Sequence, residues 1–324
     1  MKNGLISRDE LQMLHLLEDK WQINREVPIQ PWNSDLFEKA RIRVSVYRED
    51  LNHPFIQGNK WHKLKAFILK ALNEKKVGFI SIGGAYSNHL QAVAWVAQQM
   101  KKKSLFWIRG GESEWNQNKA IENLRNLGAE LHPLSRTDFR RFYSEPDFQA
   151  EPLTNYSDFQ WVPMGGSSPE CVPFVAQWAQ IIHKRADFDF FVLPVATAGT
   201  VAGFSVGLKK EQTILAVEVL RSEGSLRGTM NQLVEESGIK SVAKVEWISG
   251  YDFGGYARKT EKLLNWCTFL HEQNTLPSEP VYSGKAFWSV SDLAQKGYFP
   301  EGSRILVLHT GGLFPWTIQS NPGF

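Results

Sequence analysis

The sequence predicts an α/β fold built on mainly parallel strands, and three observations carry that expectation. Short apolar runs such as Phe190-Phe-Val-Leu-Pro-Val195 and Arg304-Ile-Leu-Val-Leu308 have the unbroken character of strands covered on both faces. Small-residue turns follow these runs, and several lead into stretches of helical period. The chain of 324 residues is 42% hydrophobic and 22% charged, enough to build a sizeable core. At roughly 100–200 residues per domain, that length suggests two domains.

In chain order, residues 77–82 read as a strand, Gly83-Gly-Ala-Tyr86 as a turn and 87–100 as an apolar-striped helix. A strand over 104–108, a helix over 116–127 closed by Gly128, and an extended segment over 130–134 follow. Residues 136–158, polar and aromatic with Pro146 and Pro152, read as irregular and as a joint between domains. Then come a strand at 160–163, a helix at 172–184, the 190–195 strand, the turn Thr197-Ala-Gly-Thr200 and a helix from 201 to 210. Strands at 213–220, 243–248 and 304–308 and a helix at 256–272 complete the pattern.

Composition excludes several classes. The net charge of +3, from 37 Lys and Arg against 34 Asp and Glu, is too even to argue for nucleic acid or an anionic membrane. The runs Lys75-Lys76 and Lys101-Lys102-Lys103 read as solvated faces. Cys171 and Cys267 offer neither a disulfide framework nor a Cys-x-x-Cys pair, which fits a reducing cytoplasm. Charge appears early at the N-terminus, so no secretory signal is expected. The eight histidines lack ligand spacing, and no dedicated metal site is expected. The uncharged stretch 190–208 approaches membrane-spanning length, but Pro194, its glycines and its hydroxyl residues divide it into a strand, a turn and a helix start.

Ligands of open α/β sheets collect where loops leave the carboxyl ends of strands. Four loops therefore matter, each with a plain structural explanation beside the functional one. Thr197-Ala-Gly-Thr200 is either a tight turn or an anion cup, in which backbone N–H groups, two hydroxyls and a helix N-terminus close on a phosphate. Gly83-Gly-Ala-Tyr-Ser-Asn-His89 places Ser87 as an N-cap, and the same groups suit a carboxylate or an aromatic hydroxyl. His309-Thr-Gly-Gly312 is a turn whose glycines permit close approach to something flat. Lys60, Lys63, Lys65 and Lys70 read first as a basic helix face, yet the preceding Gly58-Asn59 turn could aim one amine at a pocket.

In combination these loops resemble the pyridoxal-phosphate (PLP) enzymes of the tryptophan-synthase-β-like fold (fold type II). Within it the chain resembles the 1-aminocyclopropane-1-carboxylate deaminase / D-cysteine desulfhydrase family. The resemblance rests on Arg48-Glu-Asp-Leu51, Gly58-Asn-Lys60, Lys63-Leu64, Gly83-Gly84 and Ser87-Asn-His89. It continues in Pro163-Met-Gly-Gly-Ser-Ser-Pro169, Thr197-Ala-Gly-Thr200, Pro280-Val-Tyr-Ser-Gly-Lys285 and His309-Thr-Gly-Gly312, while residues 170–174 depart from the family's glycine pattern.

The resemblance implies a role for each matching residue. Lys60 corresponds to the lysine that binds the cofactor covalently and moves the substrate's proton. Thr197, Ala198, Gly199 and Thr200 correspond to the phosphate cup, and Asn88 to the partner of the cofactor's ring hydroxyl. Ser87 and His89, with Asn88, stand where the family holds the substrate carboxylate. Tyr256 and Tyr282 correspond to active-site tyrosines that orient substrate or protonate the leaving group. Thr310 faces the pyridine nitrogen by the same correspondence. A hydroxyl there leaves the ring neutral and the electron sink weaker than a carboxylate would, which favours prompt β-elimination.

Ring-opening deaminases of this family carry Glu after the tyrosine and Leu in place of Thr310. This chain has Ser283 and Thr310, and His89 replaces an amide. The reading that follows is β-elimination from a small amino acid, D-cysteine first, giving pyruvate, ammonia and sulfide. The alternative is deamination of the cyclopropane substrate to 2-oxobutyrate. A PLP-binding protein without useful turnover and a nucleotide-binding α/β protein stand as further alternatives. The resemblance also implies a homodimer of two-domain chains. Residues 1–65 with 159–324 would form a large PLP-binding domain, and 66–158 a small inserted α/β domain, each an open, mostly parallel sheet flanked by helices.

Overall fold

The computed structural model describes residues 6–255 and 258–313. The chain begins with α1 (Arg8–Lys20), β1 (Ile29–Pro31), α2 (Asp35–Lys39), β2 (Arg43–Tyr47) and α3 (Asn59–Asn73). It continues through β3 (Gly78–Gly84), α4 (Asn88–Gln99), β4 (Lys103–Arg109), α5 (Lys119–Asn126) and β5 (Ala129–Leu134). Next come α6 (Arg136–Ser144), α7 (Pro146–Thr154), β6 (Phe159–Val162), α8 (Val172–Arg185), β7 (Phe190–Val195) and α9 (Gly199–Gly207). The last are β8 (Thr213–Glu218), α10 (Ser225–Glu236), β9 (Lys244–Ile248), α11 (Glu261–Asn274), α12 (Ser283–Gln295) and β10 (Arg304–Leu308).

Two compact units result. One takes the described residues up to Lys63 together with those from Ser168 to Leu313, and the other takes Leu64 to Ser167. The first holds a six-stranded sheet in the order β1-β2-β10-β7-β8-β9, the second a four-stranded sheet in the order β5-β4-β3-β6. All pairings are parallel except that of β1 with β2.

The apolar runs that predicted parallel strands are apolar because both faces are covered. Along β7, Phe191, Leu193 and Val195 join one core with Trp178 of α8 and Phe204 of α9. Val192 points the other way, into a core with Phe287 and Val290 of α12. β8 and β10 divide in the same alternation: Ile214, Ala216, Leu306 and Leu308 on one side, Leu215, Val217, Ile305 and Val307 on the other. Burying each large side chain of this kind stabilises the fold by about 1.5–3 kcal/mol relative to leaving it in water. β7 leads outward to β8 and β9, whereas β10 returns to its other side. The crevice beyond β7 and β10 is thus a topological switch point, where ligands of such sheets bind.

The second unit corrects one expectation. Residues 136–158 are not irregular but carry α6 and α7. Ser135 caps α6 by accepting from Asp138 N at 3.0 Å, and Phe142 is buried with ring centroids 5.5 Å from Trp107 and Trp161. Pro146, read as a breaker, opens α7, where its missing N–H has no helical partner to lose.

Elsewhere helix boundaries move to the nearest cap. The helix expected from 256 begins at Glu261 behind Thr260, the one expected from 116 begins at Lys119 behind Asn118, and Gly199 and Thr200 already belong to α9. Among the described residues no helix is long and apolar enough to cross a membrane, and the uncharged stretch is shared between β7 and α9.

Candidate active site

The lysine-rich helix α3 is not a solvated basic face. Lys63 is 2% exposed, and Lys60 is largely covered. Several side chains fix the first turn of α3. Trp61 donates its indole N–H to Glu18 Oε1 at 2.8 Å, and His62 stacks on Trp178 at 4.1 Å while its Nε2 meets Glu49 Oε1 at 2.7 Å. The turn before α3 is closed by Asn52, which accepts from Gly58 N at 3.0 Å and donates to Gly58 O at 3.1 Å.

Gly58 has to be glycine. Its φ is +67°, and a Cβ there would lie 1.8 Å from the carbonyl oxygen of Thr310. Gly311, at φ +75°, is also confined, since a Cβ there would lie 2.7 Å from Gln57. Gln57 in turn accepts from Gly312 N and Leu313 N at 3.1 and 2.8 Å. His309 completes the clasp, with Nε2 2.6 Å from Pro277 O and Nδ1 accepting from Gly311 N at 3.2 Å. The loop after β10, with buried Thr310, is thereby pressed against the residues that introduce Lys60.

The loop after β7 meets the same amines. Asn59 bridges them: its Oδ1 accepts from Lys60 Nζ at 2.7 Å, and its Nδ2 donates to Thr200 Oγ1 at 2.8 Å. Lys63 Nζ lies 3.4 Å from Thr197 Oγ1. Ala198, at the N-cap of α9, takes the left-handed conformation (φ 57°, ψ −17°), a strain of about 1–2 kcal/mol for an L-residue. The first N–H groups of α9 have no partner within the helix, and its dipole favours an anion at that end.

Electrostatics set the amines apart from surface lysines. Burial, then the Lys63 cation, lowers Lys60 from the ordinary 10.5 to about 7, against the opposing pull of Glu279. Burial likewise lowers Lys63 to about 8.

Glu279, which sequence reasoning missed, is fully buried, and burial raises its carboxyl to about 7. It accepts from the backbone N–H groups of Val281, Tyr282 and Ser283 at 2.6–3.0 Å and from Ser283 Oγ at 3.0 Å. It therefore caps α12 and fixes half-buried Tyr282 at that helix's N-terminus. An acidic residue placed just before an apolar helix start was the available signal. Tyr256 lies outside the described residues.

In the second unit, Ser87 caps α4 and accepts from Leu90 N at 3.4 Å. Asn88 opens the helix, and its Oδ1 is buried with no hydrogen-bond partner among the described residues. His89 is buried, with Nε2 2.9 Å from Ser81 Oγ, whose hydroxyl donates to Val162 O at 2.7 Å. That Nε2 is spent on tying α4 to β3.

An amine of lowered pKa, joined through the Asn59 amide to the N-terminus of α9, has the groups suited to a phosphorylated carbonyl compound. Comparison with known proteins supplies the family. A family model described as "Pyridoxal-phosphate dependent enzyme" matches residues 24–311, and the chain belongs to that family.

A Pyrococcus furiosus protein named as a candidate 1-aminocyclopropane-1-carboxylate deaminase is 28% identical over 305 residues, 89% of this chain and 90% of that protein. The 1-aminocyclopropane-1-carboxylate deaminase of Mesorhizobium japonicum is 26% identical over 300 residues, 84% of this chain and 88% of its own length. The crystal structure of an ACC deaminase homologue superposes with a TM-score of 0.79 at 26% identity, covering 94% of this chain and 97% of the other. The expected tryptophan-synthase-β-like fold, PLP dependence and deaminase-related family are borne out. Between the two substrates expected, the relatives' names favour the ring-opening alternative over D-cysteine.

Proposed function

We propose that this chain is a PLP-dependent lyase that releases ammonia from a small amino acid, with Lys60 as both cofactor-binding residue and proton carrier. The observation that carries the reading is the Lys60 amine, held near pKa 7 and linked through Asn59 to Thr200. The residues fit the cofactor's charge pattern. Thr197, Ala198, Gly199 and Thr200 would hold the phosphate at the α9 N-terminus, with Lys63 adding positive charge beside Thr197. Asn88 Oδ1, a buried acceptor without a partner among the described residues, is suited to a ring hydroxyl. Thr310 is assigned to the pyridine nitrogen.

Pyridoxal phosphate, when bound, withdraws electrons from the substrate's α-carbon. Lys60, about half neutral near pH 7, can take a proton at Nζ and return it. Tyr282, fixed by Glu279, and Tyr256 are the candidate donors to a leaving group. Ser87, Asn88 and His89 are assigned to the substrate carboxylate, with His89 acting through the α4 N-terminus because its Nε2 is already engaged. A cofactor-holding domain and an inserted domain, which takes in β6 and so runs to Ser167 rather than ending at 158 as expected, belong to the same reading, as do homodimeric assembly and a cytoplasmic location.

Two substrates follow from two observations. The relatives' names put 1-aminocyclopropane-1-carboxylate first. Its α-carbon bears no hydrogen, so Lys60 would have to take a ring proton, and with one water the products are 2-oxobutyrate and ammonia. Ser283 keeps D-cysteine as the second reading: it stands where ring-opening enzymes are expected to carry Glu, and its hydroxyl is committed to Glu279. D-Cysteine offers an α-proton and a thiolate leaving group, and with one water gives pyruvate, ammonia and sulfide.

The test is keto-acid release by PLP-loaded protein across the cyclopropane substrate and a panel of D- and L-amino acids. 2-Oxobutyrate from the former supports the first reading, and pyruvate with sulfide from D-cysteine the second. No keto acid from any member contradicts the lyase reading.

A further inference from the structure

Lys285 is a buried lysine outside α3, and the chemistry above does not use it. It is 0% exposed, in the first turn of α12. Among the described residues its Nζ donates to three main-chain carbonyls: Val219 O at 2.9 Å, Asp252 O at 2.8 Å and Gly255 O at 3.0 Å. An ammonium has three N–H donors and a neutral amine only two, so this set of acceptors matches the charged form. Main-chain carbonyl oxygens converging on one point are also the ligands that replace the water shell of an alkali cation.

The surrounding backbone is shaped for this arrangement. Val219 follows β8, and Asp252 and Gly255 follow β9, so the oxygens come from the carboxyl ends of two neighbouring strands. After Asp252, Phe253, Gly254 and Gly255 take φ of 50°, 93° and 124° in succession. Such a run bends the loop back on itself, and Phe253 adopts a conformation that L-residues avoid. α12 is wedged from its other side, since a Cβ on Gly284 would lie 2.6 Å from Cys267 Sγ and 2.8 Å from Glu279 O. The amine thus joins the β8 and β9 ends to the helix start that holds Tyr282, and the loop it binds runs in sequence directly into Tyr256.

We propose that Lys285 is a tethered cation: its ammonium fills a main-chain oxygen site that a free monovalent cation can take over when the side chain is removed. Lys285 is then a positioning residue for the helix start that bears Tyr282, and the native enzyme needs no potassium or ammonium to hold it. The catalytic part of this proposal rests on the lyase reading; the cation site itself does not.

The experiment compares PLP-loaded wild type and Lys285→Ala in potassium, ammonium, sodium and tetramethylammonium chloride at one ionic strength, reading thermal unfolding and keto-acid release. Wild type is expected to behave alike in all four salts. Lys285→Ala is expected to lose about tenfold or more in kcat in tetramethylammonium and to recover most of it in saturating potassium or ammonium. Its Tm should rise by about 3 °C or more in the same salts.

A Lys285→Ala protein whose Tm is equal in all four salts overturns the proposal, as does a wild type whose Tm or kcat depends on potassium. If Lys285→Ala does not fold, Lys285→Met, which keeps most of the bulk, is read by the same Tm comparison. Failure of the lyase reading is distinguishable, because wild type would then release no keto acid while the Tm comparison still reports on the site.

Discussion

Replacing Lys60 by Met in the cofactor-free protein should make the fold more stable at neutral pH, although it removes the residue assigned to the chemistry. An amine whose pKa falls from 10.5 unfolded to about 7 folded binds fewer protons in the native state. Burial therefore opposes folding wherever the unfolded chain is protonated, whether the folded amine gives up its proton or keeps it at a cost. The penalty is absent above pH 10.5, grows as pH falls, and levels off below about 7. With those two values it amounts to about 4 kcal/mol at pH 7 and about 2 kcal/mol at pH 9. Losing the hydrogen bond to Asn59 offsets about 1 kcal/mol at either pH.

Urea unfolding of the cofactor-free proteins, followed by tryptophan fluorescence, should show Lys60→Met ahead by about 3 kcal/mol at pH 7. The lead should shrink to about 1 kcal/mol at pH 9. A variant that is less stable at pH 7, or a gap that does not narrow with pH, would refute the argument that burial holds this amine near neutrality.

Three other outcomes follow from the same geometry. Gly58→Ala forces a Cβ into the Thr310 carbonyl oxygen at a positive φ, and should cost about 3 kcal/mol or more in urea unfolding, with weaker cofactor retention on dialysis. Glu279→Ala leaves the buried N–H groups of Val281, Tyr282 and Ser283 without their acceptor and should lower stability by about 3–5 kcal/mol, whereas Glu279→Gln, which keeps one acceptor oxygen, should lose less. Thr200→Val breaks the bond from Asn59 Nδ2 and removes one hydroxyl from the anion turn. PLP affinity, measured by absorbance titration, should fall about tenfold, the loss of about 1.4 kcal/mol.

The legible parts of the fold were those where burial leaves a period in the sequence. β7 and β10 are buried on both faces and read as apolar runs, and α4 and α8 as apolar-striped helices. β1 escaped notice because it is a three-residue edge strand ending in Pro31. β2, with Arg43 exposed and Ser45 half-buried, gives only a short alternation. α6 and α7 were hidden by their polar composition: in α6 Phe142 packs on Trp107 and Trp161 among charged neighbours, and Phe148 of α7 lies under the Arg141 guanidinium.

At the site, the turns at Thr197 and His309 were visible as small residues after strands. Lys60 could not be told from Lys63, Lys65 and Lys70 by charge pattern alone, because the Asn59 and Thr197 contacts that single out Lys60 and Lys63 form only on folding. Glu279 and Lys285 act through backbone groups distant in sequence, Val219 and Gly255 among them, so no local pattern announces either.

The central claim is that Lys60, rather than a neighbouring buried amine, carries the cofactor. Borohydride reduction of PLP-loaded protein, followed by proteolysis and mass spectrometry, tests it directly. The account predicts a reduced pyridoxyl adduct on Lys60 and its loss in Lys60→Met. An adduct on Lys63 or Lys285, or none on any lysine, would contradict it.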